Sequence, residues 1–117
     1  MLDRVMGLLD RYEFSSREER RIQDAIAEIL VANEIPFKRE VALSPGNRPD
    51  FMLDGIALEV KVGGSTTEVF RQMQRYASEP AVKAVLLVTT RTQHARARVG
   101  QLAGKPVGVF LVPGGLA

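Results

Sequence analysis

The dipeptide Asp54-Gly55 sits between two short apolar runs, Phe51-Met52-Leu53 and Ile56-Ala57-Leu58. Asp-Gly between such runs is the strongest short-range signal for a two-residue β-hairpin turn, because both central residues must take positive φ. The turn sets the register around it. Leu53 then faces Ile56, Met52 faces Ala57, Phe51 faces Leu58, and Asp50 faces Glu59. Side chains alternate faces along a strand. Phe51, Leu53, Ile56, Leu58, Val60 and Val62 therefore share a wholly apolar face that must be buried. Asp50, Met52, Ala57, Glu59 and Lys61 share the other.

Two carboxylates directly opposite each other repel and weaken a sheet. Something cationic must fill the gap. Lys61 does so in part, as a salt-bridge cluster with Asp50 and Glu59 on a solvated sheet face. A divalent cation does it better, since hard oxygen ligands suit Mg²⁺ or Mn²⁺. Both readings are open at this point.

Around the hairpin the chain forms one compact pattern. Val5, Leu8, Leu9 and Tyr12 at helical spacing predict a short amphipathic helix over 2–12. Leu8 and Leu9 either offer an interface or cap the core. Ile22, Ile26, Ile29 and Leu30 form the stripe of a second helix over about 17–33, ended by Pro36. Ser15 and Ser16 each have a Glu three residues on, the pattern of a capping box. A strand is predicted over 37–43 and a loop over 44–49. Ser65 and Glu68 start a helix over 65–77. The nearly continuous apolar run 81–90 reads as a central, parallel strand. A polar connection, 91–104, leads to a last strand over 105–113. The order is α-α-β-β-β-α-β-(α)-β, read as one domain spanning 1–117.

Glu19 falls near the middle of the second helix's apolar stripe, at its N-terminal end. It either completes a capping box with Ser16 or points at the sheet as a third acid. Tyr76 lies on the packing face with Val69 and Met73, which suits a core aromatic whose hydroxyl finds a partner. Gln72 lies beside that stripe and is the better functional candidate. His94, the one histidine of the chain, sits among Arg91, Arg96 and Arg98 and reads as solvated or phosphate-contacting.

Pro49-Asp50, then a short strand, then Glu59-Val60-Lys61 resembles the motif of the PD-(D/E)xK nuclease superfamily. The flanking elements resemble its αβββαβ core, a restriction-endonuclease-like fold with a mixed central sheet flanked by helices. An extra N-terminal helix and a C-terminal strand are added to it here. Gln72 and Tyr76 in "QMQRY" match the Q-xxx-Y element of the RecB-like and related branches. The likeness covers roughly residues 16 to 90. In size the chain is similar to small phage-type nucleases and Holliday-junction resolvases. The resemblance implies that Asp50, Glu59 and the Val60 carbonyl ligate Mg²⁺, with Mn²⁺ as substitute. Glu19 would bind that metal indirectly or help hold a second one. Lys61 would orient the attacking water and screen the scissile phosphate. Gln72 and Tyr76 would position these groups or the nucleic-acid backbone. The implied activity is hydrolysis of DNA phosphodiesters to a 5′-phosphate and a 3′-hydroxyl, in repair, recombination or phage replication.

Composition limits the alternatives. Within 117 residues there are 16 Lys and Arg against 14 Asp and Glu, a formal net charge of +2. The bases are mostly arginine, which suits bidentate phosphate contact. Arg17, Arg20 and Arg21 beside Glu19, Arg48 beside the motif, and Arg91, Arg96 and Arg98 are candidate DNA contacts or solvated charges. No cysteine is present, which excludes thiolate sites and suits a reducing, cytoplasmic setting. With one histidine, the chain fits hard-cation chemistry and argues against zinc. No apolar run approaches the roughly 20 residues that span a membrane, and the N-terminus is too interrupted by charge for a signal peptide. The expected partner is DNA. A homodimer, a larger replication or repair assembly, and an inactive nucleic-acid-binding module that keeps the fold are the alternatives.

Overall fold

The Asp54-Gly55 turn forms as expected. Both residues take positive φ, 46° and 80°, the pattern of a type I′ turn. In a computed structural model describing residues 1–97 and 99–112, the turn joins β2 (Phe51–Leu53) to β3 (Ile56–Lys61). The pairs are Leu53 with Ile56, Met52 with Ala57, and Phe51 with Leu58.

The other elements are α1 (Leu2–Leu9), α2 (Glu19–Ala32), β1 (Lys38–Arg39), α3 (Thr66–Ala77), β4 (Ala84–Thr89), α4 (Thr92–Arg96), β5 (Gln101–Leu102) and β6 (Lys105–Leu111). The six strands form one sheet in the order β1-β2-β3-β4-β6-β5. Pairing is antiparallel on the β1–β2–β3 side and parallel from β3 to β4 and from β4 to β6. The protein is thus an α/β fold with a mixed sheet flanked by helices. All six residues of β4 are buried, as a central strand covered on both faces must be.

Alternation along the strands divides the core into two layers. Phe51, Leu53, Ile56, Leu58, Val60, Leu86 and Val88 pack with Val5 and Leu9 of α1 and Ile22, Ile26, Ile29 and Leu30 of α2. Ala57, Val85 and Leu87 pack on the other face with Val69, Met73, Tyr76 and Ala77 of α3. α1 caps the core, with Leu9 fully buried and Leu8 partly so. Gly108 makes this approach possible. A Cβ there would lie 2.5 Å from Met6 Sδ, closer than real Cβ contacts.

Three local expectations change. The strand expected over 37–43 stops after Arg39, because Glu40 takes φ 53° and turns the chain out of the sheet. A short, charged edge strand resists pairing with another chain. Ser16 Oγ accepts from Glu18 N–H at 3.0 Å, so the Ser16–Glu19 capping box does not form, and Glu18 stands at the N-cap without a side-chain cap. Part of the polar connection forms β5, which pairs with β6. Arg98 and Pro113 lie outside the described residues. Among those residues no helix is long and apolar enough to cross a membrane.

Candidate active site

Asp50 lies one residue before β2, and Glu59 lies within β3. Beyond the Phe51–Leu58 pair the two acids interlock through the opposite backbone. Asp50 N–H donates to Glu59 Oε1 at 3.1 Å, and Val60 N–H donates to Asp50 Oδ2 at 2.8 Å. Hydrogen bonds to the charged form favour it, so this exchange offsets part of the repulsion. Asp50 is half-buried and Glu59 is only 5% exposed. The solvated-face reading is therefore corrected. Glu59 is under α3, not in water.

α3 supplies a polar lining at this point. Gln72 Nε2 lies 3.3 Å from Glu59 Oε2 and 2.8 Å from the Tyr76 hydroxyl oxygen. The Tyr76 hydroxyl has Glu59 Oε1 at 3.2 Å and the Arg48 carbonyl at 3.3 Å as acceptors for its single proton. Lys61 Nζ lies 3.5 Å from Glu59 Oε2. Further along, Ser44 Oγ and Asn47 Nδ2 both donate to Glu79 Oε2 at 2.6 Å. This ties the loop that leads into Asp50 to the chain just after α3.

Burial dominates the electrostatics. It pushes the Glu59 carboxyl up to about 7, helped by the charge of Asp50 and opposed by Lys61. Burial also raises Asp50, against the Val60 N–H, the Gln23 side chain and Lys61. The Tyr76 phenol is raised by burial and by Glu59, so it stays a proton donor. Two close acids that resist ionisation together are ones that a cation would favour. The available donors are two carboxylates and the adjacent Val60 backbone, all oxygen, which fits Mg²⁺ or Mn²⁺.

A cavity of about 620 Å³ opens beside the pair, lined by Glu19, Lys61, Gly63, Gly64, Glu68, Arg71, Gln72 and Arg75 among others. The structure brings Asp50, Glu59, Val60, Lys61 and Gln72 together. Glu19 stands apart. It begins α2, is exposed, and lies on the cavity wall. Among the described residues no group of three or more His, Cys, Asp or Glu side chains could hold a metal ion. Gln23, one turn further along α2, takes the place beside Asp50. Its position four residues after Glu19 on the same helix was the available signal.

Tyr76 cannot touch a nucleic acid, because it is 1% exposed; it holds Glu59 instead. His94 is fully buried rather than solvated. Its Nδ1 lies 2.9 Å from Thr89 Oγ1 and its Nε2 3.3 Å from the Gly64 carbonyl. That carbonyl can only accept, so Nε2 donates to it, and in the neutral ring Nδ1 then accepts from Thr89. This clasp anchors a glycine of the cavity lining to the end of β4.

Among the described residues, Arg17, Arg20, Arg21, Arg48, Arg91 and Arg96 do not line the cavity. Arg17 donates to the Thr90 carbonyl at 3.0 Å. Arg21 pairs with Glu18 at 3.2 Å. Arg91 faces the Gln93 amide, whose oxygen, in the orientation that satisfies both, accepts at 2.7 and 3.2 Å. Arg20, Arg48 and Arg96 are exposed. Compared with protein-family models, curated proteins and solved structures, the chain matches none.

Proposed function

We propose that this chain is a metal-dependent nuclease of the PD-(D/E)xK type that hydrolyses DNA phosphodiester bonds. The observation that carries the reading is the interlocked Asp50–Glu59 pair, with Lys61 Nζ 3.5 Å from Glu59 at the edge of a cavity. Further support comes from element order. α2, the β1–β2–β3 antiparallel unit, α3, and β4 parallel to β3 follow the αβββαβ pattern of that superfamily's core. The site also lies at the C-terminal end of the parallel strands, where open α/β sheets bind ligands.

In this reading Asp50, Glu59 and the Val60 carbonyl would hold Mg²⁺ or Mn²⁺. Bound there, the ion would supply a water of lowered pKa and would stabilise charge growing on the phosphate. Tyr76 and Gln72 each hold one oxygen of Glu59, and Gln23 lies beside Asp50. The carboxylates would therefore meet the ion already oriented. Lys61, 28% exposed in its side chain, reaches from Glu59 toward the cavity to orient the attacking water and screen the scissile phosphate.

Purified protein with Mg²⁺ or Mn²⁺ should cut DNA, and EDTA should stop it. Lys61→Ala should lose on the order of 100-fold in rate while remaining folded. Mg²⁺ should also raise the melting temperature, since ligand at about 100 times its Kd adds about 2.7 kcal/mol. Wild-type cleavage rates in Lys61→Ala would sink this mechanism.

A second reading, an inactive module that keeps the fold and binds nucleic acid or serves in a larger assembly, is favoured by one observation. Among the described residues every buried side-chain nitrogen and oxygen already has a partner. Salt-sensitive DNA retention without cutting in any divalent metal selects that reading.

A further inference from the structure

We propose that Arg71 and Arg75 of α3 grip the phosphate backbone of a single DNA strand lying in the cavity, and so present its scissile phosphate to Lys61. The inference rests on the nuclease reading above and names where its substrate lies. Arg71 and Arg75 stand one helical turn apart, on one face of α3, and both line the cavity that holds Lys61 and Gln72. Both are exposed. Among the described residues neither has an ion-pair partner, whereas Arg21 is paired with Glu18 and Arg39 with Asp24. Two uncommitted guanidinium groups on a cavity wall have the planar donor fork that phosphate oxygens match.

The acids of the same cavity set the direction of the strand. Glu68 lies in the first turn of α3 and Glu19 in the first turn of α2. Both repel a polyanion. The later turns of α3, where Arg71 and Arg75 stand, remain as the track for phosphates.

The size of the cavity suits a single strand. The cavity measures about 620 Å³, within the roughly 300–1,000 Å³ of sites that enclose a small ligand. A short piece of one unpaired strand fills a volume of that size. Lys61 and Gln72, which line the cavity, both contact Glu59, so a phosphate seated there lies next to the carboxylate pair.

The test is binding of a labelled single-stranded oligonucleotide in EDTA over a range of salt, followed by cleavage kinetics in Mg²⁺. Replacing both groups, Arg71→Ala with Arg75→Ala, should reduce the slope of log K against log salt by about 1.4, two phosphate contacts at about 0.7 each. Affinity at fixed salt should fall roughly tenfold or more. In cleavage, KM should rise while kcat holds, and Lys61→Ala should do the reverse. Arg71→Lys with Arg75→Lys should restore the slope but not the full affinity. Arg4→Ala, on α1, should leave every measurement unchanged.

If the wild type binds and cuts while the double alanine variant keeps its slope and KM, the assignment of Arg71 and Arg75 falls and the nuclease reading stands. Tighter binding of intact duplex than of single strand overturns the single-strand assignment. A wild type that neither retains nor cuts any strand overturns both readings together.

Discussion

The two faces of β3 are chemically opposite. Toward α1 and α2 the strand presents Ile56, Leu58 and Val60, each no more than 2% exposed, inside an entirely apolar layer. Toward α3 it presents Ala57, fully buried, then Glu59 and Lys61. The first face gains free energy from every atom it hides. The second hides a carboxylate that burial penalises, and answers it with a tyrosine, a glutamine, a backbone N–H and a lysine. Stability is concentrated on one side of the strand and electrostatic tension on the other. Truncating the two faces should therefore have effects of different kind as well as size.

The largest stability effect belongs to the apolar face. Leu58→Ala, at a fully buried site, should cost about 2–5 kcal/mol, read from denaturant midpoints and equal at pH 6 and pH 8. Glu59→Gln at the neighbouring position should cost nothing at pH 8 without metal, since it removes a charge that burial disfavours. Equal losses at the two positions would erase the contrast.

Next in size is the pH dependence. Glu59 is raised from 4.5 to about 7, so between those values the folded state binds more protons than the unfolded state. Stability must then fall as pH climbs through that window. A shift of this size corresponds to roughly 3 kcal/mol. Melting curves in EDTA should show the decline in the wild type and a flatter profile in Glu59→Gln. A wild-type profile that rises through the window would contradict the burial argument.

The smallest effect sharpens the comparison. Tyr76→Phe removes a hydroxyl 3.2 Å from Glu59 Oε1 and should cost about 1 kcal/mol. That hydrogen bond holds the Glu59 carboxyl down, so its loss should move the end of the pH-dependent decline to higher pH. An unmoved profile would mean that the hydroxyl serves the Arg48 carbonyl instead.

Much of the fold was legible because its signals are local. Asp-Gly demands a particular turn, the turn sets the register, and alternation then sorts Phe51 and Leu58 from Glu59 and Lys61. Ser65 capping Glu68 N–H at 3.1 Å and the fully buried β4 follow the same logic. The errors arose where a competing local choice won. Glu40 takes a left-handed backbone and ends β1 early. Ser16 bonds Glu18 rather than capping the helix at Glu19.

The site was legible in part. Asp50, Glu59, Lys61 and Gln72 meet because register and one helical turn bring them together. Burial was the missing quantity. His94 looked solvated among arginines, yet it is enclosed between Thr89 and Gly64. Arg71 and Arg75 passed unnoticed beside Gln72 and Tyr76, because only the packing of α3 on the sheet shows which of four adjacent polar residues face the cavity.

Taken alone, the order of residues determined the turn, the pairing of Asp50 with Glu59, and the sorting of side chains onto two faces. These depend on neighbours a few positions apart and on the period of a strand. The packing of α2 and α3 over the ends of that hairpin decided the rest: a carboxylate held near neutral titration, Gln23 rather than Glu19 beside Asp50, and two arginines on the cavity wall. Those outcomes depend on desolvation and on contacts between distant segments, which exist only once the layers have closed.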